Sequence, residues 1–157
     1  MSGKIRFISD PHFGHKNMAI KRGFKTIEEH DQLIIDNWNS VVKKNDIVYL
    51  LGDISMEKRA PYALLEKLHG IIYVTLGNHD RLQDTPYLLN YVNGVSSCFE
   101  YKGYILTHIP IHPSEMDRFR GNIHGHLHDK IILDDRYINV SLERINYTPI
   151  NLELIIK

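Results

Sequence analysis

Five short apolar runs in this chain each stop at a residue able to bind a metal ion or move a proton. Ile5 to Ile8 leads into Asp10-Pro11-His12, and Ile47 to Leu51 into Gly52-Asp53. Ile71 to Leu76 leads into Gly77-Asn78-His79-Asp80, Tyr104 to Leu106 into His108, and Ile123 into Gly125-His126-Leu127-His128. Short apolar runs bounded by polar residues read as buried strands. A carboxylate, amide or imidazole at the mouth of a core is expensive to leave unpaired, so the recurrence points to ligation or catalysis rather than packing. In open α/β sheets ligands gather outside the carboxyl ends of the strands, where five strands can deliver five such groups to one place.

Taken in order, Asp-x-His, Gly-Asp, Gly-Asn-His-Asp, a lone His and Gly-His-x-His resemble the calcineurin-like metallophosphoesterase family, over residues 10 to 128. Gly52-Asp53 alone carries almost no information; the ordered set is specific. The resemblance implies a four-layer α/β/β/α sandwich with two mixed sheets and a pair of divalent ions. By that resemblance Asp10, His12, Asp53 and His128 hold one ion, Asp53, Asn78, His108 and His126 the other, and Asp53 bridges them. A hydroxide shared by the ions would attack a phosphate ester in line. His79 would protonate the leaving group, with Asp80 orienting its ring and raising its pKa. Oxygen and imidazole donors suit Mn²⁺ first, with Fe, Zn²⁺ or Ni²⁺ sharing the same chemistry.

Composition narrows the partners. Nineteen basic residues balance nineteen acidic ones, so no global field concentrates nucleic acid or an anionic membrane. A single cysteine, Cys98, excludes an internal disulfide framework, and the N-terminus lacks the apolar segment of a signal peptide, so the expectation is a cytoplasmic protein. The 157 residues suit one domain spanning 1–157. The sequence assigns no oligomeric state.

Between the motifs, Thr26-Ile27-Glu28-Glu29 has capping-box spacing. It predicts a helix whose apolar stripe is Ile27, Ile34, Trp38 and Val41, ending near Lys43 and Lys44. Asp31 falls on that stripe and needs a partner, expected in a neighbouring loop. Lys58 to His69 reads as a second helix stopped by Gly70. Arg81 to Gly94 reads as loop or short helix. Val95 to Tyr101 and Tyr104 to Thr107 read as a hairpin about Lys102-Gly103, with Cys98 a core thiol. Lys130 to Leu133, Tyr137 to Val140 and Asn151 to Ile156 read as antiparallel strands.

Only 24 residues separate Asp53 from Asn78 and seventeen separate His108 from His126, which leaves no room for a cap domain. The expected substrate is a small phosphate ester of nucleotide size, with nucleic acid a partner only as substrate. A phosphodiesterase or nuclease of the same family is the alternative, followed by a non-catalytic metal-binding interaction module. Small bacterial and phage-type family members share the string Asp-x-His-Phe-Gly-His-x-Asn. On that basis His15 and Asn17 are candidate substrate contacts, His15 against the alternative of a surface histidine. Arg118 and Arg120, in the loop after His108, are candidate bidentate phosphate donors against the alternative of solvated side chains. His112, between prolines, reads as ordinary surface.

Overall fold

A computed structural model describes residues 3–154 of the chain. Strands β1 (Ile5–Ile8), β2 (Ile47–Leu50), β3 (Ile71–Thr75) and β4 (Gly94–Ser96) run parallel, and β9 (Ile150–Asn151) closes the other edge antiparallel to β1. The second sheet has the order β5 (Phe99–Tyr101), β6 (Tyr104–Leu106), β7 (Gly121–His124), β8 (Tyr137–Asn139). There β5 is antiparallel to β6, while β6, β7 and β8 are parallel. Two mixed sheets flanked by helices form the expected α/β sandwich.

The sheets are joined by aromatic packing that follows from strand register. Phe7 pairs with Tyr49 and Tyr49 with Tyr73 across β1, β2 and β3, placing three rings on one face. Phe99 and Tyr101 of β5 pack onto them, with ring centroids 5.2 Å apart for Tyr49–Phe99 and 5.9 Å for both Tyr73–Phe99 and Phe7–Tyr101. Contacts of this kind add about 0.5–1.5 kcal/mol each beyond their buried area.

Helix α1 covers Lys16–Lys21, α2 Ile27–Val41 and α3 Thr85–Leu88. Thr26 caps α2 as its sequence predicts, its Oγ1 accepting from Glu29 N at 3.1 Å. Ile34 and Trp38 are fully buried, each worth about 1.5–3 kcal/mol of burial. Ile27 and Val41, at the ends of the same stripe, are only half-buried. Asp31 finds its partner in the loop after β1, accepting from Gly14 N at 3.0 Å.

Four local expectations need correction. The segment Val95 to Tyr101 is not one strand: β4 belongs to the first sheet and β5 to the second, and Ser97 and Cys98 cross between them. Cys98 is therefore exposed rather than a core thiol. Lys130 to Leu133 is not a strand, because β8 already occupies the edge beside β7; Leu133 is 94% exposed. β8 is parallel to β7, not antiparallel, and the last strand is the pair Ile150–Asn151, with Ile155 and Ile156 outside the described residues. Ala60–Lys67 is a 3₁₀ helix, which ends before His69. Lys102 and Gly103 form the expected hairpin turn, both with positive φ. Among the described residues no helix is long and apolar enough to cross a membrane.

Candidate metal centre

The polar groups predicted from the sequence come together where the carboxyl ends of β1, β2, β3, β6 and β7 meet. They form two donor groups, Asp10, His12 and His128, and Asp53, His108 and His126, with the atoms of each group within 4.8 Å of one another. In the first group the Asp10 Oδ1 atom and both ring nitrogens of His12 are buried without a hydrogen-bond partner. His12 Nε2 lies 3.8 Å from Asp10 Oδ1 and 3.8 Å from Asp53 Oδ2. Two metal–ligand bonds of about 2.1 Å meeting at a tetrahedral angle leave their outer atoms about 3.4 Å apart, so this spacing suits a shared cation. Burial drives the His12 pKa down to about 3, which leaves its ring neutral and free to donate lone pairs.

The second group carries the same signature in another form. His108 Nδ1 donates to the Leu51 carbonyl at 2.7 Å, which turns Nε2 toward Asn78 Oδ1 at 3.0 Å and Asp53 Oδ2 at 3.3 Å. His126 Nδ1 lies 2.9 Å from the same Asn78 oxygen. A neutral His108 ring would thus point a lone pair at two oxygens, a conflict that a second proton or a cation resolves. Burial would depress the His108 pKa, but the Asp53 carboxylate outweighs it and holds it above the usual value. For Asp53 burial pushes upward, yet the His108 ring and the His79 amide hold its carboxyl below the ordinary range. The donors therefore fit borderline divalent ions in both groups.

Backbone conformation points to the same residues. Among the described residues nine non-glycine residues have positive φ, and Asp10, His12, Asp53, His126 and His128 are five of them, at φ values of 48–69°. Each such residue costs on the order of 1 kcal/mol or more, and concentration of that cost in one place is typical of functional sites. The loops also approach too closely for side chains: a Cβ at Gly77 would collide with the Asp53 carboxylate.

His79 stands at the rim, its side chain 40% exposed, with Nε2 4.0 Å from Asp53 Oδ2 and its ring 5.9 Å from that of His12. The sequence pairs Asp80 with this imidazole; the structure does not. Asp80 Oδ2 accepts from Asp53 N at 2.7 Å and Gly77 N at 2.8 Å, and Oδ1 from Ile54 N at 2.9 Å. Asp80 is a clamp between the loops after β2 and β3, reinforced by His79 N donating to Asp53 Oδ1 at 2.9 Å. Burial, with the neighbouring Asp53 charge adding to it, pushes the Asp80 carboxyl up in spite of those amides.

Of the proposed substrate contacts, His15 is near the first loop and donates from Nδ1 to Glu57 Oε1 at 2.8 Å, and Asn17 is exposed on α1. Of the two arginines, Arg120 is misplaced by the sequence reading. Arg120 immediately precedes β7, donates from its backbone N to the Gly103 carbonyl, and lies over the Tyr104 ring, at the end of the sheet opposite the donor groups. Arg118 is exposed and 4.0 Å from Glu115. His112 is an exposed cap whose Nδ1 accepts from Ser114 N.

Three residues the sequence did not single out support the site. Ser141 Oγ donates to Asp10 Oδ2 at 2.9 Å, Glu143 Oε1 lies 3.0 Å from His128 Nδ1, and Arg22 donates to the Asp10 carbonyl at 2.8 Å. No local signal marks Ser141 or Glu143, whose motif partners are more than ten residues away. Arg22 was detectable only as a cation close to the Asp-x-His loop.

Residues 3–146 match the family model described as calcineurin-like phosphoesterase. A protein of Methanocaldococcus jannaschii, MJ1445, is 39% identical over an alignment covering 98% of this chain and 90% of that protein. The gene 66 protein of Mycobacterium phage D29 is 29% identical, covering 88% of this chain and 87% of its own. Among solved structures, the AQ665 protein of Aquifex aeolicus superposes with a TM-score of 0.75 at 25% identity, over 98% of both chains. The nuclease MPE of Pseudomonas putida shares the fold at a TM-score of 0.54 and 20% identity, over 79% of this chain and 60% of that one.

Proposed function

The chain belongs to the calcineurin-like phosphoesterase family, and we propose that it hydrolyses small, nucleotide-sized phosphate esters with two divalent ions. One observation carries the two-ion reading: Asp53 Oδ2 lies 3.8 Å from His12 Nε2 of one donor group and 3.3 Å from His108 Nε2 of the other. Asp10, His12, Asp53 and His128 would hold one ion, and Asp53, Asn78, His108 and His126 the second. Mn²⁺ is the first ion to supply, with Fe, Zn²⁺ and Ni²⁺ suited to the same donors. When bound, paired ions of this kind activate water and neutralise charge on the phosphoryl oxygens.

The chain's own residues supply the rest. Burial and the Leu51 carbonyl fix the His12 and His108 rings as donors before substrate arrives. Asp80 holds the main chain that carries Asp53 and His79. The exposed His79 imidazole would donate a proton to the leaving oxygen as the P–O bond breaks, an effect typically worth about 10²–10⁴ in rate; its exposure at 4.0 Å from Asp53 supports that role. With Arg120 at the opposite end of its sheet, binding of the remainder of the substrate falls to surface groups, of which His15, Asn17 and Arg118 are the candidates. The short inter-motif segments and balanced charge support a small ester over a tracked polymer.

The test is turnover of nucleoside monophosphates, cyclic nucleotides, single-stranded oligonucleotides and phosphopeptides at matched Mn²⁺, with and without EDTA. Small esters should lead. Oligonucleotides turning over far faster would install a diesterase, and metal binding without turnover of any ester would leave an interaction module.

A further inference from the structure

We infer that Glu143 is a positioning residue for the first donor group, aiming His128, with Arg22 as its counter-charge and as the brace of the Asp10–Pro11 backbone. The inference rests on the two-ion reading above and assigns an unequal support to the two ions.

Glu143 follows β8 in a 3₁₀ turn, Leu142–Arg144. Its Oε1 accepts from His128 Nδ1 at 3.0 Å and from Arg22 Nε at 2.8 Å. An ionised carboxylate only accepts, so the His128 proton sits on Nδ1 and the Nε2 lone pair is free for a metal. The His128 ring lies nearly parallel to that of His12, centroids 5.3 Å apart and planes 18° from coplanar. A carboxylate behind an imidazole is the usual device for fixing the tautomer and angle of a metal-binding histidine.

Arg22 gives that carboxylate its counter-charge. Its side chain is 2% exposed, and beyond Glu143 it donates to the carbonyls of Asp10 at 2.8 Å and Pro11 at 3.2 Å. The same guanidinium meets His30 Nε2 at 3.0 Å. Arginine only donates, so Nε2 accepts and the His30 proton on Nδ1 goes to Asp31 Oδ1 at 2.8 Å, while Asp31 Oδ2 holds Gly14 N. One guanidinium thus fixes the backbone on both sides of the Asp10–His12 loop and, through Glu143, the histidine that faces it. The loop that Arg22 braces also touches the second donor group, since His126 N donates to Asp10 Oδ2 at 2.9 Å and His12 N to the Asp53 carbonyl at 3.1 Å, whereas the Glu143 carboxylate meets only His128 and Arg22. Selectivity between the ions therefore lies with Glu143, acting through His128, while the second group is held in addition by the Leu51 carbonyl and the Asp80 clamp. A purely structural ion pair tying α1 to the segment after β8 would stabilise the fold without favouring either ion.

Mn²⁺ titration calorimetry separates the two roles, supported by electron paramagnetic resonance, in which two neighbouring Mn²⁺ ions couple and an isolated one gives its own six-line signal. Wild type should take up about two ions. Glu143→Ala should weaken one of them by about 10–100-fold and leave the other within about twofold. Glu143→Gln keeps an acceptor for Nδ1–H and should show a smaller loss at the same ion, which also guards against an Ala variant that folds poorly. Glu143→Ala added to His128→Ala should cause no further loss, because Glu143 acts through His128. Equal weakening of both ions, no weakening, or additive losses in the double variant would overturn the pairing. A wild type that binds two ions without hydrolysing any ester removes the functional reading while leaving this one to stand on the calorimetry. An active wild type whose Glu143→Ala variant keeps both affinities does the reverse.

Discussion

Asp80→Asn distinguishes a backbone clamp from an imidazole partner. The Asp80 carboxylate takes three main-chain N–H groups at 2.7, 2.8 and 2.9 Å, two on Oδ2 and one on Oδ1. An asparagine offers a single oxygen. Placed at the Oδ2 position it keeps the Asp53 and Gly77 amides but turns its own NH₂ toward the Ile54 amide, donor against donor. An orphaned amide costs about 1–3 kcal/mol, and the two bonds that survive lose their charge assistance, roughly 0.5–1 kcal/mol each. The total is about 2–5 kcal/mol. In a domain of this length that lowers Tm by about 6–15 °C, read by thermal unfolding in EDTA so that metal linkage does not contribute. Mn²⁺ affinity should fall as well, since Asp53 and Asn78 ride on the clamped loops. If Asp80→Asn kept the wild-type Tm in EDTA and altered only the pH profile of turnover, the carboxylate would belong to His79 and the clamp would be refuted.

Other variants probe separate parts of the site. Asp53→Asn should weaken both ions and abolish most turnover, and full activity retained in EDTA would contradict a metal-dependent site altogether. His79→Ala should keep its metal content and lose more activity on alkyl phosphates than on nitrophenyl phosphates, whose leaving group needs little protonation; equal losses would assign the ring to positioning. The Glu143 carboxyl stands at about 2 against 4.5 as the reference, burial opposing and His128 and Arg22 lowering it. Its folded pKa is depressed, so its contribution, on the order of 3 kcal/mol, is present above pH 4.5 and disappears as pH falls toward 2. Acid unfolding in EDTA should accordingly be shallower in Glu143→Gln over that window, and an unchanged acid limb would contradict the buried pair.

The sequence by itself determined which residues gather beyond the carboxyl ends of the strands. Asp10, His12, Asp53, Asn78, His79, His108, His126 and His128 each follow an apolar run, and a strand that ends in a costly polar group is a local signal, legible without knowing what lies opposite. The α2 cap at Thr26 was legible for the same reason, since its bond spans only three residues. Tertiary structure alone decided what stands behind those groups. Arg22 reaches Glu143 across 121 residues and Ser141 reaches Asp10 across 131, and no periodicity encodes such distances. Asp80 lay beside His79 in sequence, but its carboxylate turned to three main-chain amides, Gly77 in its own loop and Asp53 and Ile54 in the loop of another strand. Arg120 sat close to His108 and His126 in the chain and yet at the wrong end of the sheet. β6 and β7 are parallel, so the connection between them must travel back the length of a strand, and a residue that opens β7 starts roughly 13 Å from the residues that follow it.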